Sequence, residues 1–111
     1  MPHLIIEYAA ELESDVDIQQ LAKTAFDGAV ASKLFTPANI KSRAHPVQAY
    51  WIGGKKVPFV HVNVKLLPGR TNEQKKTLTT SVFDAIKKLV GDAVKVSVEA
   101  NDIEADVYTK G

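Results

Sequence analysis

Hydrophobic positions recur along this chain with two different periods, and the alternation between the periods outlines the fold. Residues 3–8, His-Leu-Ile-Ile-Glu-Tyr, form a short apolar-rich run that reads as a first strand. Ile18, Leu21, Ala22, Ala25, Phe26 and Ala29 then recur at helical spacing and give one apolar face. Ser14 is expected to cap this helix, with Asp15 and Asp17 in its first turn and an end near Lys33. A second strand is expected from about Ile40 to Trp51, where Pro46 indicates an edge or a bulge. Gly53-Gly54 then makes a turn.

The second half repeats the order. Residues 57–66 alternate, with Val60, Val62, Val64 and Leu66 on one face and Phe59, His61 and Asn63 on the other, as in a strand. A turn at Pro68-Gly69-Arg70 leads into Thr71-x-x-Gln74, a capping box. Leu78, Val82, Ala85, Ile86 and Leu89 mark the stripe of a second helix, which Lys87, Lys88 and Gly91 suit as its end. Val94, Val96 and Val98 alternate with polar residues as a last strand, and residues 104–111 read as a weakly ordered tail or short edge segment.

The sum is an α+β chain of two βαβ units, about 1–54 and 55–111, in one domain. The expected assembly is one mixed four-stranded sheet with both helices on one face. Leu4, Ile6, Tyr8, Val60, Val62, Val64, Val94, Val96 and Val98 would face the helices. Nothing else in a short chain covers the opposite face, which points to a closed homo-oligomer.

Composition narrows the function classes. The 111 residues are 45% hydrophobic and 24% charged, the profile of a soluble globular protein. A net charge of +1 gives no case for nucleic acid or an anionic membrane. There is no cysteine, hence no thiolate chemistry, and no apolar run long enough to span a bilayer. With no basic stretch before an apolar segment at the start, the expected location is the cytoplasm. His3, His45 and His61 lack metal-ligand spacing, so no metal is expected. His3 and His61 are expected to bond within the sheet or at a subunit contact, and His45 to orient a loop. Phe35, Tyr50, Trp51 and Phe59 suit core or interface packing better than a pocket wall.

One position carries chemistry beyond packing. Removal of Met1 would make Pro2 an N-terminal secondary amine. Such an amine titrates at about 7.7–8.0, and a hydrophobic or cationic pocket lowers that toward the range of a general base. Many chains begin Met-Pro for no catalytic reason, so this pair alone does not decide the matter. Taken alone, Arg70 reads as an exposed turn residue, and Lys41 and Arg43 read equally as a solvated strand edge.

Met1-Pro2 running straight into a strand, the two βαβ halves, and Gly69-Arg70-Thr71-Asn72-Glu73-Gln74-Lys75 at a strand-to-helix turn resemble the tautomerase superfamily. The Gly-Arg-Thr-x-Glu-Gln-Lys stretch is similar to the one opening the helix of 4-oxalocrotonate tautomerase. Met-Pro-His-x-Ile-x-Glu, the segment Ile40-Lys41-Ser42-Arg43-Ala44-His45, and Phe59-Val60-His61 through Gly69-Arg70 resemble the 5-carboxymethyl-2-hydroxymuconate isomerase family. The resemblance covers nearly the whole chain.

It implies a homotrimer with no cofactor and no metal, acting as an isomerase on a small dicarboxylate in aromatic catabolism. It implies Pro2 as the base and Arg70 as an active-site arginine. A second family arginine falls at Lys41, which keeps the charge and loses the bidentate fork. Arg43, two residues on and on the same strand face, could supply a guanidinium instead; both are candidate substrate-binding residues. Two alternatives remain: a tautomerase of another unsaturated 2-hydroxy acid, and a non-catalytic trimeric binding protein of the same fold.

Overall fold

A computed structural model describes residues 2–111. Four strands, β1 (His3–Ala9), β2 (Lys41–Val47), β3 (Phe59–Leu66) and β4 (Lys95–Asp102), form one sheet in the order β2-β1-β3-β4. β1 pairs in parallel with β2 and antiparallel with β3, and β3 pairs in parallel with β4. Two helices, α1 (Ile18–Ala31) and α2 (Asn72–Val90), provide the parallel crossovers and pack on one another against the sheet. The two βαβ units of the sequence are thus present, joined through β1 and β3 at the centre.

Period-2 patterning gives the sheet two unlike faces. Leu4, Ile6, Tyr8, Val60, Val62, Val64 and Leu66 are buried toward Leu21, Ala25, Leu78, Val82 and Ile86 of the helices. Full burial of each Leu, Ile or Val contributes about 1.5–3 kcal/mol over exposure. On β4, Val96 and Val98 lie on the same face and are half-buried against this core. Tyr8, the polar-tipped member of the set, donates its hydroxyl to the Glu13 carboxylate at 2.6 Å.

The helices approach closely at Gly28. A Cβ there would stand 2.9 Å from Val82 Cα, and Ser81 Oγ donates to the Gly28 carbonyl at 2.7 Å. The expected capping box opens α2: Thr71 Oγ1 accepts from Gln74 N–H, and Gln74 Oε1 accepts from Thr71 N–H. Gly91 closes the helix at φ 85°. Pro46 lies in β2, an edge strand, as its missing donor requires.

Three boundaries differ from the sequence expectation. Ser14 is not the cap of α1. Residues Ala10–Ser14 form a separate 3₁₀ turn that buries Leu12, and the Asp17 carboxylate caps α1 by accepting from Gln19 N–H at 3.0 Å. The helix ends at Ala31, and Lys33 lies beyond it at φ 63°. β2 stops at Val47 instead of Trp51, because its partner β1 stops at Ala9. Gly53-Gly54 make their turn in a detached Ile52–Lys55 bridge, and Trp51 is 74% exposed.

The C-terminal segment is not an edge strand. Ile103 N–H donates to the Leu66 carbonyl at 2.7 Å, a short 3₁₀ turn follows at Ala105–Val107, and Tyr108 reaches His3.

Candidate active site at one end of the sheet

Strand directions bring the candidate residues to one end. The start of β1 lies beside the end of β3, the start of β2 and the end of β4, so Pro2, Lys41, Leu66 and Asp102 share it. The loop after β3 carries Arg70 to this end, and the loop after α1 brings Leu34 and Phe35. Pro2 is fully buried, and its carbonyl accepts from Lys41 N–H at 3.0 Å, extending the β1–β2 ladder by one bond. Met1, whose removal the proline-base reading requires, lies outside the described residues.

Arg70 lies on the helix side. Its Nη2 donates to the Leu34 carbonyl at 2.8 Å, and its Cζ sits 4.9 Å from the centroid of the Phe35 ring. The side chain is therefore half-buried and held, unlike an exposed turn residue. The capping box engages the N–H groups of Thr71 and Gln74, which leaves fewer helix-start donors open to an anion.

Lys41 and Arg43 project from the opposite face, as their alternation with Ser42 and Ala44 requires; Ser42 Oγ turns inward to bond the Ala22 carbonyl at 2.8 Å. Register places Lys41, His3, Lys65 and Asn101 in one cross-strand row, and Arg43, Ile5, Asn63 and Glu99 in the next. These rows bound a concavity of about 600 Å³ closed on one side by Asp102, Ile103, Glu104 and Tyr108. Its strand-borne cations are Arg43 and Lys65, with His3 between them.

His3 ties this region together. Arg43 Nη1 approaches His3 Nδ1 at 3.2 Å, and Tyr108 Oη lies 2.7 Å from His3 Nε2. A guanidinium only donates, so Nδ1 accepts, Nε2 carries the proton, and Tyr108 oxygen receives it. Burial first, and then the Arg43 and Lys41 charges, lower the His3 pKa below the usual 6.5, in keeping with a neutral ring. His61 bonds within the same face, to Ser97 Oγ at 2.7 Å and to the Glu99 carboxylate at 2.6 Å. The Asn101 amide, and then His61, hold Glu99 below the usual carboxylate range.

All four sequence candidates thus reach one end of the sheet, yet Arg70 and Arg43 stand on different sides of it. The sequence reading expected the His3 bond within the sheet, which His3 makes to Arg43, but it missed Lys65, Tyr108 and the Leu34–Phe35 support. Lys65 was detectable, because it continues the face of His61 and Asn63 on β3. The His3–Tyr108 pair spans nearly the whole chain and left no local signal.

A four-stranded β2-β1-β3-β4 sheet built from two βαβ units, with a proline at the head of its central strand and cations around that end, is the architecture of a tautomerase-like protein. A sequence profile of 5-carboxymethyl-2-hydroxymuconate isomerase matches residues 2–110. The chain belongs to that family, and by that membership it is an isomerase. It is 28% identical over 89 residues to the Escherichia coli 5-carboxymethyl-2-hydroxymuconate Delta-isomerase, covering 78% of this chain and 71% of the relative. A crystal structure of 5-carboxymethyl-2-hydroxymuconate delta-isomerase matches with a TM-score of 0.85 at 20% identity, over 100% of this chain and 87% of the other, which establishes the fold. A fused 4-OT described as a wild type symmetric trimer matches with a TM-score of 0.73 at 25% identity, covering 91% of this chain and 85% of that one.

Proposed function

We propose that this protein, with Met1 removed, ketonises 5-carboxymethyl-2-hydroxymuconate in homoprotocatechuate breakdown, using Pro2 as the base. The Pro2 amine takes the proton of the 2-hydroxyl, the C–O bond becomes C=O, the double bonds shift, and a proton is returned at carbon. Atoms and charge balance without a cofactor. The carrying observation is the position of the fully buried Pro2 at the sheet end where Lys41, Arg43, Lys65 and Arg70 gather. Burial disfavours the charged form of an amine, which suits a neutral base. Fixed cations stabilise the charge that develops on the 2-oxygen and its neighbouring carboxylate.

Arg70 is the residue for a bidentate carboxylate contact, since its fork is planar and already anchored. Lys41 and Arg43 hold the second carboxylate from the other side of the sheet end, with the contributions arriving from neighbouring subunits of a homotrimer. The polar sheet face, which carries no helix, and the trimeric 4-OT neighbour support that assembly. Sedimentation should give three times the chain mass of 12.1 kDa, and a monomer at assay concentration contradicts the shared site. Lys41 in place of the family arginine also supports a second reading, a related unsaturated 2-hydroxy acid with one carboxylate.

Pro2→Ala in the Met1-free protein should reduce kcat/KM for the diacid by about 100-fold or more, the scale of general acid–base catalysis, with the fold intact. Undiminished turnover rules out Pro2 as the base. Comparing kcat/KM for 2-hydroxydienoates with one and two carboxylates separates the two substrate readings.

A further inference from the structure

A long arginine side chain delivers a planar fork usefully only where its orientation is fixed. Arg70 is fixed by two adjacent residues from a distant part of the sequence. The Leu34 carbonyl accepts from Nη2 at 2.8 Å, and the Phe35 ring lies under the guanidinium at 4.9 Å. Among the described residues these are its partners, so its other N–H donors stay available to a ligand.

The supporting loop is itself built to hold its shape. Ser32 Oγ donates to the Ala29 carbonyl at 2.6 Å at the end of α1, and Leu34 N–H donates back to Ser32 Oγ at 3.4 Å. Lys33 at φ 63°, a conformation that costs a non-glycine residue energy, turns the chain between them. Leu34 and Phe35 then pack against the core while remaining half-buried. A half-buried ring with a guanidinium over its face at 4.9 Å does more than fill the core.

We propose that Phe35, together with the Leu34 carbonyl, is the positioning platform that aims Arg70 at the substrate carboxylate. The inference rests on the reading of Arg70 as a substrate-binding residue. Phe35 does not touch substrate; it acts through Arg70. Stacking fixes the plane of the fork, and the carbonyl fixes its rotation within that plane, so one N–H edge faces outward.

Phe35→Leu keeps an apolar side chain and removes the aromatic face, whereas Phe35→Tyr keeps that face. With the diacid as substrate, Phe35→Leu should lower kcat/KM roughly fivefold through misaimed binding, and Phe35→Tyr should stay within about twofold of the wild type. In an Arg70→Ala background, Phe35→Leu should change kcat/KM by less than about twofold, since the group it aims is gone. Thermal melting of all four variants accounts for any common loss of packing. An impaired Arg70→Ala beside a fully active Phe35→Leu overturns the platform and leaves the role of Arg70 standing. A Phe35→Leu loss that persists undiminished in Arg70→Ala reduces Phe35 to a packing residue and also overturns it. A silent Arg70→Ala overturns the reading of Arg70 and the platform with it.

Discussion

His3 follows Pro2 directly, and its environment makes a pH prediction. The ring bridges Arg43 and Tyr108 as a neutral group, and its pKa is lowered first by burial and then by Arg43, Lys41 and Lys65. Below the ordinary value of 6.5, the unfolded chain binds a proton at this position that the folded chain does not. The contribution of His3 to stability is therefore fully present above that value and is lost as pH falls below it. Protonation would also set the ring against Arg43 as two donors and two positive charges. Denaturant unfolding between pH 7.5 and about 5 should show stability falling with pH in the wild type and a flatter profile in His3→Gln. Identical slopes in the two proteins contradict this account of His3. Among single residues, Pro2 and Arg70 entered as candidates through the family resemblance, since Arg70 taken alone reads as an exposed turn residue. What holds Arg70 was not legible, because a backbone carbonyl and a ring more than thirty positions away leave no mark on the local pattern.

Elements were legible where one period dominated. β3 and α2 match the expectation closely, since alternation in residues 57–66 and the Thr71–Gln74 box are strong local signals. The entry to α1 was misread because Ser14, Asp15 and Asp17 all suit a cap, and only the burial of Leu12 in a preceding turn decides among them. β2 was overextended because strand length is set by the partner, which one segment's pattern does not reveal. The contact between α1 and α2 was also invisible in sequence. The missing Cβ of Gly28, in the middle of α1, lets α2 approach. Gly28→Ala forces the backbone at Ser81 and Val82 to move and should destabilise the fold by about 1–3 kcal/mol, despite the better helix propensity of alanine. A gain in stability on denaturant unfolding would mean the helices separate without cost.

At the scale of the whole molecule, the two βαβ units make a sheet with one buried face and one polar face. The polar face carries His3, Lys41, Arg43, Asn63, Lys65, His61, Glu99 and Asn101 in register, several of them hydrogen-bonded across strands. The sequence anticipated that no helix covers this face, and Ile5 and Phe59 are its large apolar members. The same topology gathers the chain start, three strand ends and two loops at one end of the sheet, so residue 2 shares that end with residues from far along the chain. That convergence is what joins fold to chemistry, and it turns on the state of a single atom. The most direct test is a ¹⁵N NMR titration of Pro2 in protein whose loss of Met1 is confirmed by intact mass. The account predicts a free amine with a pKa below the about 7.7–8.0 of an ordinary α-amino group, matching the acidic limb of kcat/KM. An amine titrating at or above that range, or full activity in protein that retains Met1, contradicts it.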